Sequence, residues 1–526
     1  MKRYHVIVIG AGPAGLSAAI EAASHGMTVG LFDENARPGG QLFKQIHKFF
    51  GSKEHKAKIR GFRIGEELLA EAEKLGVEVH LNSTVMGIYF PMNKITVSNG
   101  ESTTSYSGNN IILAAGASEN AIPFDGWTLP GVMGAGAAQT LMNLHGVQPG
   151  KRILMVGSGN VGLVVGFQLI QSGCQLEAII DAAPKIGGYG VHAAKVARTG
   201  VPFLLSHTIV RAEGTESVTG AVIAQVDEYF QPIPGTERHL DVDTILIATG
   251  LTPMSKLAEM TGCDMKEMGG KVPVVDQYGM TSIEGLYAAG DVSGIEEASS
   301  AMIGGRIAAL AAAAKDGYIE QNEFEKSYSD YQSSLEKLRK GMFAKENRGK
   351  TLAVTDEGLP ISTNLLKHGF LDEEEITSYP GMTSRQGIHP VIECTQNIPC
   401  NPCQDACKFG CIQVGADITR LPIADVKSEC KNCGMCVAAC PGQAIFLVEE
   451  DCGDHMAAVT LPYEFRPLPE VGEKGYGLSR RGEEICPATV LNVRLNPVFD
   501  HTAILTIQVP KEMAMRARFY RGSRKD

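Results

Sequence analysis

The 526-residue sequence predicts an α/β protein: two nucleotide-binding βαβ units, then a small α+β unit rich in cysteine, then a β-rich end. Three observations carry that expectation. "HVIVIGAGPAGLSAAI" and "RILMVGSGNVGLVVGF" are each a β-branched run that breaks at clustered glycines into a helical pattern. Eight of the 13 cysteines crowd between Cys400 and Cys440. After Cys452, "TVLNVRL" and "AILTIQV" alternate apolar and polar residues on either side of Pro497, the pattern of a β-hairpin.

A chain of this length exceeds one hydrophobic core and divides into about three or four domains. Its net charge of −11 argues against a nucleic-acid partner. The basic end "RARFYRGSRKD" reads as a solvated tail. No stretch has the apolar length of a membrane helix, and Met1 precedes the first strand too closely for a leader peptide, so a cytoplasmic chain is expected. There, cysteines serve metal more than disulfides. Cys174, Cys263, Cys394, Cys452 and Cys486 are scattered and read as ordinary core or surface residues.

The first unit is strand, tight turn, helix, strand. Gly10, Gly12 and Gly15 form G-x-G-x-x-G where the strand becomes a helix, and the apolar run Val29–Phe32 ends at Asp33 and Glu34. One glycine makes the turn, one lets a pyrophosphate approach the backbone, and one lets helix and strand pack. The helix N-terminus offers free N–H groups and the positive end of its dipole to the phosphates. The acid closing the second strand accepts from a ribose hydroxyl, and register favours Asp33 over Glu34.

The pattern recurs at Gly157, Gly159 and Gly162, with Asp181 closing the next strand. The acid follows the first glycine by 23 residues in one copy and by 24 in the other. Two copies mean two nucleotide sites, or one site and a structural relic. An acid at Asp181 prefers a free 2′-hydroxyl, so NAD(H) fits better than NADP(H), with another nucleotide as the alternative.

Further signals assign FAD to the first site. "PGGQL" (Pro38–Leu42) follows the acid, "IILAAG" ends at Gly116, and "TILIATGLTP" is a second apolar strand ending in a small-residue turn. "GLYAAGDVSG" ends a strand at Gly290 and Asp291, where the carboxylate can take a ribityl hydroxyl. The alanine-rich helix after it can stabilise charge on reduced flavin.

On these residues the chain resembles the two-dinucleotide-binding flavoproteins, in which an NAD domain is inserted in the FAD domain. "IPFDGWTLPGVMGAGAAQTLMN" is similar to the α subunits of sarcosine oxidase, opine oxidase, hydrogen cyanide synthase and dye-linked L-proline dehydrogenase. The resemblance implies FAD at Gly10, Gly12, Gly15, Asp33, Gly40, Gln41, Gly290 and Asp291, with Pro13, Ala14, Glu34 and Gly116 flanking that set. It implies a nucleotide at Gly157, Gly159, Gly162 and Asp181. Dithiol chemistry is excluded, because residues 1–350 hold only Cys174 and Cys263.

Cys430-x2-Cys433-x2-Cys436-x3-Cys440-Pro441 matches the two-cluster bacterial ferredoxin run. Cys400-x2-Cys403-x3-Cys407-x3-Cys411 has one residue too many in the middle and Ile412 in place of proline. Because the fourth cysteine of each run crosses over in two-cluster ferredoxins, one [4Fe–4S] cluster is expected on Cys400, Cys403, Cys407 and Cys440. The other falls to Cys411, Cys430, Cys433 and Cys436. Cys394 is an alternative to a first-run ligand, and zinc is the alternative metal.

The resulting division is 1–120 and 271–345 for the FAD-binding domain, 121–270 for the inserted nucleotide domain, 346–388 for a polar linker, 389–450 for the ferredoxin-like domain and 451–526 for the β-rich end. A flavin converts between hydride and single-electron traffic. An electron-transfer subunit is therefore expected, in a hetero-oligomer with a second flavin-containing, substrate-oxidising subunit. The alternative is a self-sufficient NAD(P)H-linked flavin dehydrogenase that resembles the small subunit of glutamate synthase. No catalytic residue stands out. "QIHKFFGSKEHKAKIRGF" offers Lys44, His47 and Arg60 as groups to face a flavin, or else a solvated basic loop.

Overall fold

The computed structural model describes residues 1–342, 344 and 352–523. Most of the second half of the polar stretch "LEKLRKGMFAKENRGK", the start of the expected linker and the last three residues of the basic end lie outside them. Contacts divide the chain into two units.

The first unit comprises residues 1–49, 54–120 and 250–339. Its core is a parallel sheet in the order Glu78–His80, Val29–Phe32, Lys2–Ile9, Thr103–Leu113 and Leu286–Ala288. Val6, Ile7 and Val8 are all fully buried, as a strand covered on both faces requires. The antiparallel strands Lys94–Ser98 and Thr84–Tyr89 extend the sheet beside the outer half of Thr103–Leu113. The helix Pro13–Ser24 packs against the alanine-rich helix Ala298–Lys315. Glu21 ties both to the helix Gln321–Leu338: its Oε2 accepts from Arg306 Nη1 at 3.0 Å and from Tyr331 Oη at 2.6 Å. Residues 250–270 belong to this unit, where Leu251–Pro253 pairs with Ala117–Glu119.

The second unit comprises residues 50–53, 121–249 and 340–526. It opens with a parallel five-stranded sheet in the order Phe203–Leu205, Gln175–Asp181, Arg152–Val156, Thr244–Ile247 and Val132–Gly134. The helix Asn160–Gln171 follows the Arg152–Val156 strand, completing the second βαβ crossover. The described part of the expected linker is not a bare connector. The helices Thr363–His368 and Glu373–Ile376 bury Leu365 and Ile376 in a small core with Leu371.

A three-stranded antiparallel sheet of His207–Glu213, Gly220–Gln225 and Arg238–Leu240 follows. The largest sheet of this unit is antiparallel and seven-stranded, in the order His389–Ile392, Ile445–Glu449, Met456–Tyr463, Ala503–Pro510, Glu484–Arg494, Lys474–Leu478 and Phe519–Gly522. Its first two strands come from the cysteine-rich segment, so the boundary expected near 450 falls inside a continuous sheet. The cysteine runs form an insertion between those two strands, whose ends are joined by Glu393 N donating to Ala444 O at 2.8 Å.

The described part of the basic end, residues 516–523, is not a solvated tail. Phe519–Gly522 is the last strand of the sheet, and Arg518 is buried with Glu393 and Arg480. The buried carboxylate supplies the reason. Burial alone would raise the Glu393 pKa, but the Arg480 and Arg518 guanidiniums outweigh it and hold the carboxyl well below its ordinary range.

Candidate functional site

The two glycine loops are built alike. Gly10 has φ 101° and a Cβ there would lie 2.3 Å from Ala114 O; Gly157 has φ 115° and its Cβ would lie 2.2 Å from Ala248 O. Both turns therefore demand glycine. Gly15 and Gly162 pack against the carbonyls of Gly10 and Gly157, where a Cβ would stand 1.8 and 2.0 Å from oxygen. The middle glycines differ. A Cβ on Gly12 or Gly159 meets no protein atom within 4 Å. Each of these two residues is the N-cap of a helix with no side-chain cap and no acid in its first turn. Open space before free helical N–H groups is the cradle that a pyrophosphate fills.

The acids lock these turns. Asp33 Oδ2 accepts from Ala11 N at 2.6 Å, and Asp181 Oδ2 accepts from Ser158 N at 2.7 Å and from Ser158 Oγ at 2.6 Å. Asp33 is buried and Glu34 is exposed, so the inward acid is the one that register favours. In the first copy the "PGGQL" loop closes over the turn, with Gly39 N donating to Ala11 O at 2.6 Å and Gly40 beside Gly12. Pro13 and Ala14 open the helix, and Gly290 stands against Ala14. Burial raises the Asp291 pKa, which the Glu296 N–H partly offsets. Gln41 is exposed, and Gly116 adopts φ 74° at its strand end.

The second copy has a counterpart to that loop which the sequence reading missed. Gly187 and Gly188 begin six residues after Asp181, as Gly39 and Gly40 begin six after Asp33. Gly188 N donates to Ser158 O at 3.0 Å, and Gly187 lies next to Gly159. The matched spacing was the available signal. Two residues on, Gly190 N donates to Gln396 Oε1 at 2.7 Å, which joins this loop to the cysteine-rich segment.

The basic stretch after "PGGQL" is not a solvated loop. Lys48, His55 and Arg60 are buried, with Arg60 Nη1 donating to Ile46 O and His55 Nε2 3.0 Å from Ser334 Oγ. Burial lowers the Lys44 pKa, and the Glu119 carboxylate partly offsets this. His47 is partly buried.

The clustered cysteines surround two cavities. Cys394, Cys400, Cys403 and Cys440 line one, together with Val191 and Gln396. Cys407, Cys411, Cys430, Cys433 and Cys436 line the other. This grouping differs from the expected one: Cys407 lies with the second set, and Cys394 takes its place in the first. Among the described residues no three His, Cys, Asp or Glu side chains converge on a point as a single ion requires. Four thiols about one cavity and five about the other are the donor set that an iron–sulfur cluster takes. Burial raises the pKa of all four thiols of the first set, that of Cys394 to about 12. Arg198, also missed from the sequence, is buried close to Cys440 and donates to Gln443 O at 3.0 and 3.1 Å.

Two such glycine loops, each locked by its acid, define an FAD/NAD(P)-binding oxidoreductase of the two-dinucleotide class. The chain belongs to the pyridine nucleotide-disulphide oxidoreductase family, whose model matches residues 4–317. That match ends before the cysteine-rich segment.

Among curated proteins the chain is 31% identical over 338 residues to the opine oxidase A polypeptide of Agrobacterium tumefaciens, covering 59% of this chain and 65% of that one. It is 26% identical over 355 residues to the HcnB subunit of hydrogen cyanide synthase from Pseudomonas protegens, covering 62% and 74%. It is 28% identical over 331 residues to the α subunit of sarcosine oxidase from a Corynebacterium species, covering 60% and 33%. The chain thus spans just under two thirds of the opine oxidase polypeptide and a third of the sarcosine oxidase one. The fold is also like that of L-proline dehydrogenase from P. horikoshii, with a TM-score of 0.50 at 20% identity over 64% of this chain and 59% of that one. Among the described residues no helix is long and apolar enough to cross a membrane.

Proposed function

We propose that this chain is an electron-transfer subunit. It exchanges electrons between a flavin-containing partner that oxidises an amino acid or amine and NAD(H) or another acceptor. The observation that carries this reading is the pair of thiol-lined cavities in a chain that also holds two glycine-loop cradles. A bound flavin supplies conversion between paired and single electrons, which a nicotinamide and iron–sulfur centres require of whatever joins them.

The chain's own residues bind and orient. Gly10, Gly12, Gly15, Gly40, Gln41, Gly116, Gly290 and Asp291 hold FAD, with Asp33 fixing the turn and reaching the ribose. Gly157, Gly159, Gly162 and Asp181 hold the second nucleotide, with NAD(H) the fitting ligand. The cysteines of the two cavities hold two [4Fe–4S] clusters, and thiolates suit iron as soft, charged donors. The relatives' names support a heteromer, because each is named as one subunit of its enzyme.

An anaerobic NADH titration of the holoprotein, following flavin and cluster absorption together, tests the reading. Bleaching of both supports it. Reduction by dithionite with no response to NADH refutes the nicotinamide role, and a preparation without iron and sulfide refutes the clusters.

A further inference from the structure

We infer that the first thiol quartet is Cys394, Cys400, Cys403 and Cys440, and that Cys407 stands outside it, in the second set with Cys411, Cys430, Cys433 and Cys436. This rests on reading the two cavities as iron–sulfur sites.

The inserted residue in the first run is the physical cause. Cys403 lies in the short helix Pro402–Ala406, and Cys407 follows as its C-cap with an extended backbone, φ −85° and ψ 92°. The added residue puts Cys407 on extended backbone beyond the end of that helix. Cys407 Sγ accepts from Cys411 N at 3.3 Å, and it lines the second cavity with Cys411, Cys430, Cys433 and Cys436.

Cys394 fills the vacated corner from the other end of the insertion. It follows the strand His389–Ile392, which pairs with Ile445–Glu449, so residues 393 and 444 meet across the ladder. That register sets Cys394 beside Cys440, its principal electrostatic neighbour. Glu393, clasped by Arg480 and Arg518, anchors the backbone directly before it. Gln396, two residues on, is held by Gly190 N. Cys394 is thus fixed on both sides and faces Cys400 and Cys403 across the cavity. On loading, each of the four thiols releases its proton and forms one Fe–S bond.

Iron and acid-labile sulfide per chain, with electron paramagnetic resonance of the dithionite-reduced protein, test the assignment in anaerobically purified wild type, Cys394→Ala and Cys407→Ala. Wild type should hold about eight irons. Cys394→Ala should lose about half of them and show the spectrum of a single isolated cluster. Cys407→Ala should keep the cluster signal that Cys394→Ala loses. Loss of that same signal in Cys407→Ala overturns the inference whatever iron remains, and so does full iron in Cys394→Ala. Should Cys394→Ala fail to fold, Cys394→Ser serves in its place: retained iron with an altered spectrum supports the assignment, and an unaltered spectrum overturns it. Zinc, or no metal, in the wild type would instead overturn the iron–sulfur reading beneath it.

Discussion

Arg480 and Glu393 are buried together, Nη2 of the arginine 2.6 Å from Oε1 of the carboxylate. Arg518 Nε donates to the same oxygen, so a single carboxylate answers two guanidiniums inside the antiparallel sheet. Glu393→Gln leaves both cations without their counter-charge. It should destabilise the protein by about 3–5 kcal/mol, read as a lowered denaturation midpoint.

The glycine loops offer a sharper contrast. Gly12→Ala adds one carbon to open space, so the melting temperature of the flavin-free protein should stay unchanged while flavin affinity falls about tenfold or more. Gly15→Val drives a side chain into the carbonyl of Gly10 and should cost about 3 kcal/mol of stability. Bound FAD per chain and thermal melts of both variants check the pair. Equal melting losses would mean that Gly12 serves packing and not a ligand.

His55 gives a pH dependence. Burial lowers its pKa below the ordinary 6.5, and its hydrogen bond to the Ser334 carbonyl, which acts the other way, does not cancel this. The unfolded chain then binds more protons than the folded one, so stability should fall as pH drops below about 6.5. His55→Gln should flatten that slope in denaturant titrations at pH 7 and below.

Glu21 joins three helices through Arg306 and Tyr331. Replacing it by Gln weakens both charge-assisted contacts and should cost about 1–3 kcal/mol. Hydrogen exchange should accelerate in Gln321–Leu338 ahead of the central strands if the carboxylate is what holds that helix.

Both glycine loops, their acids and the parallel sheets behind them were legible, because every partner lies within one βαβ unit and local spacing encodes the geometry. Gly187 and Gly188 were legible by the same spacing and were overlooked. Cys394 was legible only as an alternative to a first-run ligand. Its place depends on the pairing of Ile392 with Ile445, a contact between residues 53 positions apart. The burial of Lys48, Arg60 and Arg518 was hidden for a related reason. A basic residue reads as solvated until its counter-charge or carbonyl is brought to it by tertiary structure.

The cysteine-bearing insertion leaves the sheet at Ile392 and re-enters at Ile445, two residues that face each other across one ladder. A short turn bridging 392 to 445 would therefore close the hairpin without moving any other strand. On the proposed function, the redox wiring is a plug-in on a hairpin root: cutting it out should leave an insulated flavoprotein, and another sheet edge with two adjacent antiparallel strands could receive it.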